Sequence, residues 1–383
     1  MLLLMSAPLL SAQVPRSKHV YIVAEENHSY ETIVGSSNMP YLNSLLKKGA
    51  LATQFYANQH GSLENYFWVT AGQKITDNNS TTSVFNVDNI ERHLLSHGRT
   101  FKSYAQSLPY AGYTGLTWGA YLKRHAPLIY FTDMADSSLK FDHVSTSVMA
   151  KDIVDQTLPN FAFITPDGNH DMHNCPNGLA ACEQTADTWL KDNIGPLLAS
   201  PEFQPGGDGV LIIWSDEGNL SSDNRCSATV LTGCGGRIVV AMIGPEVKVD
   251  YRSIRTYHHQ SVLRTMLELE GDETSFPGAA ATAPDMGEFF KSTSPTDSPV
   301  GSVTILAPTS STVSSPVNMQ ANATSANAIT AMRIYVDGKD VYTTSASHLD
   351  TNIALARGGH SLTFQAWDSK GNVFKASKAI TVE

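Results

Sequence analysis

Five short apolar runs constrain the fold of this chain more than any other feature. They read VYIVAEEN from residue 20, LATQFYANQH from 51, FAFITPDGNH from 161, VLIIWSDEG from 210 and IVVAMIGP from 238. Runs of this kind suit strands covered on both faces, which belong to sheets flanked by helices. Helical segments lie between them. In MPYLNSLLKKG, Pro40 fits a first helical turn, Leu42, Leu45 and Leu46 share a face, and Gly49 supplies a stop. SVLRTMLELEG pairs Val262 with Met266 and Leu263 with Leu267 before Gly271. Alternation of strand and helix predicts an α/β sandwich with a mainly parallel central sheet.

The composition changes near residue 289. KSTSPTDSPVGS is a Ser/Thr/Pro linker, and SVTILAP, AMRIYVDGKDVYTT and HSLTFQAWDSKGNVFKASKAITVE then alternate apolar and polar residues. With turns at 337–339 and 369–372, this tail predicts a small all-β, immunoglobulin-like sandwich. It carries no cysteine and no catalytic cluster, so its expected role is a spacer or a contact with a cell surface or polymer. The predicted organisation is a leader over 1–16, a catalytic domain over 17–290, a linker over 291–301 and the β-sandwich over 302–383.

The leader, MLLLMSAPLLSAQVP, resembles a secretory signal peptide without its basic start, and it is too short to span a bilayer. Export to the periplasm, the cell surface or the medium is the expectation. Cys175 and Cys182 have six residues between them, and Cys226 and Cys234 seven. Two local disulfides are the simplest reading, although four cysteines allow three pairings. A net charge of −10 argues against a nucleic-acid partner, because no basic stripe is available to neutralise phosphates.

Ligands of open α/β sheets gather at the carboxyl ends of the strands. The residues there are Glu25, Glu26 and Asn27 after the first run, then Asn58, His60 and Ser62, then Asp167, Asn169, His170, Asp171 and His173, then Asp216 and Glu217. His258 and His259 open a last helix. Each has an ordinary alternative: a solvated acid, a helix cap or a surface imidazole. Five segments ending in metal-competent side chains at one edge point instead to a cation site. Adjacent carboxylates at 216 and 217 repel each other, and a cation between them removes that cost.

Ser62 opens SLENYFWVTAG, which reads as a helix ended by Gly72. A hydroxyl there faces the amides and dipole that favour an anion. A cation can activate it as a nucleophile toward phosphorus. Asn65, one turn along, is placed to donate to a phosphoryl oxygen. The aromatic residues between 104 and 131 would either line a leaving-group pocket or simply pack.

The segments EENHSY, HGSLENYFWVTAG, TPDGNHDMH, WSDEG and YHHQSVLRTMLELEG occur in the order found in the bacterial phosphoesterase family, which includes acid phosphatases and phospholipases C. That family resembles a branch of the alkaline-phosphatase superfamily, and the likeness covers about residues 17–290. It implies that Glu26, Asn27, Asp216 and Glu217 hold a divalent metal. It also implies that Ser62 is the nucleophile that forms a phosphoserine and touches the metal, with Asn65 on the phosphate. Asp171, His173 and His259 fall where two-zinc relatives bind a second metal; in single-metal relatives such histidines face the phosphate or the leaving group. His60 belongs with this second set.

Two departures touch the nucleophile loop: Gly61 and Glu64 stand where the family has prolines. Glu217 stands where two-zinc relatives have histidine. Ligation by Glu, Asn, Asp and Glu suits calcium, magnesium or manganese better than zinc, with one ion expected. A sulfatase is excluded, because no Cys-x-Pro-x-Arg sequence occurs. The reading is an exported metal-dependent phosphomonoesterase acting on a phosphate ester. A phospholipase C-like phosphodiesterase uses the same residues, and a non-catalytic surface-binding protein is the alternative from another class.

Overall fold

The computed structural model describes residues 14–219, 223, 225, 234–272, 275–291, 301–325, 327–337, 339–369 and 373–383. The expected leader and linker therefore lie almost wholly outside the described residues, as does Cys226. The chain divides into two compact units between residues 292 and 293.

The first unit is built on an eight-stranded sheet. Its chain contributes β1 (Val20–Glu25), β2 (Ala50–Phe55), β3 (Phe101–Ala105), a hairpin of β4 (Thr117–Trp118) and β5 (Tyr121–Leu122), then β6 (His143–Ser145), β7 (Phe161–Thr165), β8 (Val210–Ser215), β9 (Val240–Ile243) and β10 (Tyr251–Tyr257). The sheet order is β10-β2-β9-β8-β1-β7-β3-β6, with the hairpin apart from it. All pairings are parallel except those of β9, which runs against both β2 and β8. The alternating segment YRSIRTY, which is not one of the apolar runs, forms the half-exposed edge strand β10.

Every residue of β1, β7 and β8 is buried, because both faces of the sheet are covered. Alternation along β1 divides the core in two. Val20, Ile22 and Ala24 pack with Leu63, Phe67 and Val262 of the helices Ser62–Ala71 and His259–Glu270. Tyr21 and Val23 pack on the other face with Leu42, Leu45, Leu46 and Trp189 of the helices Pro40–Lys48 and Leu179–Trp189. Each fully buried aliphatic side chain contributes about 1.5–3 kcal/mol, so the sheet edge that carries the chemistry rests on a stiff platform. Met39 offers no side-chain cap to the helix it precedes; Asp187 of the neighbouring helix accepts from the backbone N–H of Tyr41 at 2.9 Å and of Leu42 at 2.7 Å instead. Cys175 and Cys182 form a disulfide, and Cys234 is also disulfide-bonded.

The second unit contains β11 (Gly301–Ala307), β12 (Thr312–Val313), β13 (Val317–Ser325), β14 (Ile329–Val336), β15 (Lys339–Thr344), β16 (His348–Ile353), β17 (Gly358–Asp368) and β18 (Val373–Val382). They form sheets of order β11-β13-β16 and β12-β18-β17-β14-β15 around Met319, Met332, Ile334, Leu362 and Phe364. β14 turns into β15 at Asp337, whose φ of 50° suits the expected tight hairpin.

Candidate active site

Register brings the two acidic strand ends together. In the β1–β8 ladder Glu25 lies opposite Ser215, so Glu26–Asn27 and Asp216–Glu217 leave the sheet side by side. Asn27 takes a left-handed φ of 53°, a conformation asparagine tolerates better than most residues, and its N–H then donates to Asp216 Oδ1 at 3.0 Å. The Glu217 N–H donates to the same oxygen at 2.6 Å. Asp216 Oδ2 and Asn27 Oδ1 are buried with no hydrogen-bond partner. Glu26 Oε1 accepts from the Tyr66 hydroxyl at 2.9 Å, and its Oε2 accepts from Ser62 Oγ at 3.0 Å and Asn27 Nδ2 at 3.3 Å.

Ser62 is the first residue of its helix; Gly61 is the cap, with a φ of 118° open to glycine and closed to proline. The family proline is therefore incompatible with this loop, and side chains supply the rigidity instead. Glu217 Oε2 accepts from Gly61 N at 3.1 Å and lies 2.6 Å from His60 Nδ1. Asn65 Nδ2 donates to Gln59 O at 2.7 Å and to Gly61 O at 3.3 Å, while its Oδ1 accepts from Gln59 N at 3.4 Å. Asn65 thereby ties down the loop before the serine. The Leu63 N–H at the helix start is also taken, by Asn79 Oδ1 at 3.1 Å.

His125, which no sequence signal singled out, stands at the centre. It ends a short turn, Lys123–His125, that follows the β4–β5 hairpin. Its ring stacks on Tyr66 with centroids 5.5 Å apart. Nδ1 lies 2.7 Å from Asp171 Oδ2, while Nε2 lies 3.1 Å from Glu26 Oε1 without a hydrogen bond between them. Asp171 thus sits behind His125, and its Oδ1 accepts from the His173 N–H at 2.8 Å. Ligand atoms of Glu26, His125 and His173 lie within 4.8 Å of one another, a group able to hold a metal ion.

The other histidines of this edge are also hydrogen-bonded, although His258 Nε2 stays buried without a partner. His259 Nδ1 accepts from the Trp214 indole N–H at 2.8 Å, and its Nε2 donates to Asp216 O at 2.8 Å. Both ring nitrogens are occupied, so as placed His259 supports the acidic loop, and burial lowers its pKa to about 3. His60 is likewise held at both ends, by Glu217 and by Asp223 O at 3.0 Å. His173 Nδ1 meets Asn174 Oδ1 at 3.0 Å, and Nε2 accepts from Arg124 at 3.0 Å. His258 Nδ1 donates to Tyr56 O at 2.8 Å. Asp167 bonds Ser107 and His170, at 2.6 and 2.7 Å, within its own part of the edge.

Burial dominates the electrostatics. It pushes the Glu26 and Asp216 carboxyls well above the usual range, with repulsion from Asp216 adding to it at Glu26 and repulsion from Glu217 at Asp216. Burial also raises Glu217 and Asp171 to about 7. A cation reverses that logic, and Asn27 Oδ1, Asp216 Oδ2 and His125 Nε2 are buried donor atoms without a hydrogen-bond partner. The Asp171–His125 pair is the usual support for a ligating imidazole. Tyr104, Tyr121, Tyr130 and Phe131 are core residues, whereas Tyr110 and Trp118 are exposed.

Comparison with known proteins agrees with this geometry. Residues 36–271 match the Phosphoesterase family, and 302–363 match a bacterial Ig domain. The chain is 28% identical over 284 residues to a phosphatidylinositol-3-phosphatase of Mycobacterium tuberculosis, covering 74% of this chain and 86% of the relative. It is 27% identical over 226 residues to a probable acid phosphatase of Kluyveromyces lactis, covering 56% of this chain and 51%, about half, of that relative. A solved alkaline-phosphatase-superfamily protein from Vibrio parahaemolyticus superposes with a TM-score of 0.52 at 13% identity, over 97% of this chain and 84% of the other. That likeness gives the first unit an alkaline-phosphatase-like fold. The family match spans well over half of the chain and both relatives are phosphatases: the chain belongs to the Phosphoesterase family and is a phosphoric ester hydrolase.

Proposed function

We propose that the protein is an exported phosphomonoesterase that works through a phosphoserine at Ser62 with one divalent metal ion. The observation that carries this is the Ser62 hydroxyl, buried and 3.0 Å from Glu26 Oε2, beside the unpartnered acceptors Asn27 Oδ1 and Asp216 Oδ2. Glu26, Asn27, Asp216, Glu217 and Ser62 would hold the ion. When bound it supplies Lewis-acid polarisation and offsets charge on the oxygens around phosphorus. Oxygen donors favour calcium, magnesium or manganese, and the His125 nitrogen keeps zinc open.

The chain's own groups do the rest. Glu26 Oε2 accepts the Ser62 hydroxyl hydrogen and aims Oγ. Attack by Oγ forms the serine–phosphorus bond as the bond from phosphorus to the ester oxygen breaks, and the alcohol leaves with a proton. Water then cleaves the phosphoserine, releasing phosphate and restoring the hydroxyl. His60, Asn65 and His259 act by holding the loops that carry Ser62 and Asp216. The names of the relatives, acid phosphatases and a phosphatidylinositol-3-phosphatase, support a monoester substrate.

Export is supported by the apolar leader and by the Cys175–Cys182 disulfide, which suits an oxidising compartment. No helix among the described residues is long and apolar enough to cross a membrane. The catalytic domain is taken to end near residue 290, and the Ig-like tail from 302 to serve surface contact.

The test is hydrolysis of p-nitrophenyl phosphate beside its bis-ester, with and without a chelator, by wild type and Ser62→Ala. Chelator-sensitive, Ser62-dependent release from the monoester is expected. Preference for the bis-ester would make the protein a phosphodiesterase, and full activity of the Ser62 variant would overturn the mechanism.

A further inference from the structure

Of the residues expected at a second cation site, His259 and His173 have both ring nitrogens hydrogen-bonded, while the free Nε2 beside them is that of His125. His259 is held by Trp214 and Asp216, and His173 by Asn174 and Arg124. Asp171 accepts from the His173 N–H on one oxygen and pairs with His125 on the other. A positive charge is nevertheless present there, because Arg124 Nη2 lies 3.0 Å from His173 Nε2.

Most arginines of this unit sit against a carboxylate, whereas Arg255 lies over the Tyr257 ring. Arg92, Arg99, Arg225, Arg237, Arg252 and Arg264 each sit against a carboxylate. Arg124 has no carboxylate partner among the described residues, although it adjoins an acidic centre. Among the described residues it hydrogen-bonds an imidazole whose other nitrogen already faces Asn174 Oδ1, which leaves Nε2 as an acceptor from Arg124. A guanidinium has five donors in a planar fork that matches phosphate oxygens two at a time. Its place is set by the chain: the next residue is His125, 3.1 Å from the Glu26 carboxylate that bonds Ser62. The other donors expected to receive an anion are engaged, Leu63 N–H by Asn79 and Asn65 Nδ2 by the 59–61 loop.

We infer that Arg124 is a substrate-binding residue that takes the phosphoryl oxygens and stands in for a second metal ion, with His173 as its positioning residue. This rests on the phosphomonoesterase reading. It assigns His173 to holding the guanidinium through Nε2, so coordination of an ion by that nitrogen would displace Arg124.

The experiment uses metal-loaded full-length protein and three readouts: the affinity for inorganic phosphate by calorimetry, metal ions per chain by elemental analysis, and KM and kcat for p-nitrophenyl phosphate. Arg124→Ala should weaken phosphate binding and raise KM by at least about tenfold, the loss of a charge-assisted pair. Arg124→Lys should recover part of this, and His173→Ala should raise KM more than it lowers kcat. One ion per chain should remain in all of them. Two ions in wild type with one lost in His173→Ala would overturn the inference, as would unchanged phosphate affinity in Arg124→Ala or no phosphate binding by wild type. Ser62-dependent turnover with an indifferent Arg124 would sink this inference alone. Arg124-dependent phosphate binding without any turnover would sink the phosphomonoesterase reading and leave the anion site standing.

Discussion

His125 Nδ1 lies 2.7 Å from Asp171 Oδ2, and this pair decides which face the imidazole turns toward Glu26. With Nδ1 bonded to the carboxylate, Nε2 keeps its lone pair for the acidic centre. Asp171→Asn weakens that control over the tautomer. Metal affinity should fall about 10–100-fold, the usual cost of losing such a support. Competition against a chelator of known affinity measures it, and an unchanged affinity would remove His125 from the metal site.

Trp214 is the donor to His259 Nδ1 among the described residues, inside the core. Trp214→Phe leaves a buried ring nitrogen without a partner and removes part of a packed ring. Unfolding in urea should show a loss of about 1–3 kcal/mol from the unpaired nitrogen, with the packing loss added to it. Activity should fall as well, because His259 Nε2 holds the Asp216 carbonyl.

Gly61 has room for a methyl group, its nearest neighbour being the Glu64 side chain at 3.5 Å, but its φ of 118° excludes one. Gly61→Ala should therefore destabilise the protein by about 1–3 kcal/mol through backbone strain. If the loop relaxes instead, the Gly61 N–H leaves Glu217 and kcat drops with Ser62 displaced. Thermal midpoint and kcat measured together distinguish the two results; a variant normal in both would show that the loop does not depend on this conformation.

Stability without metal should depend on pH in a defined direction. Glu217 and Asp171 rise to about 7 from ordinary values of 4.5 and 3.8, so their stabilising protons are present at low pH and are lost as the pH passes about 7. His259, lowered to about 3 from 6.5, contributes fully above 6.5 and loses its contribution as the pH falls toward 3. Above 6.5 the imidazole term is constant and the carboxylates decide the slope. The melting temperature of chelated protein should fall from pH 6.5 to 8, and added divalent metal should raise it more at 8 than at 5.5. An equal increment at both values would mean that these carboxylates do not meet the ion.

The sequence by itself determined the frame and the acidic centre. Uniform apolar runs leave a strand no exposed face, which requires a sheet covered on both sides, and the residues following each run then share one edge. Glu26, Ser62, Asp216 and Glu217 were legible for that reason, as was the glycine-stopped helix that begins at Ser62. The antiparallel course of β9 was not legible, because an apolar run carries no direction. His125 and Arg124 lay in a hairpin-to-turn segment with neither periodicity nor a strand end to mark them. Only the tertiary structure decided how the lone pairs are shared. Spacing placed Asn65, His60 and His259 near the anion, yet each has its polar atoms taken by a neighbour remote in sequence or by its own loop. A residue's type and position limit which bonds it can make; the packed partners around it decide which of those bonds remain available for chemistry.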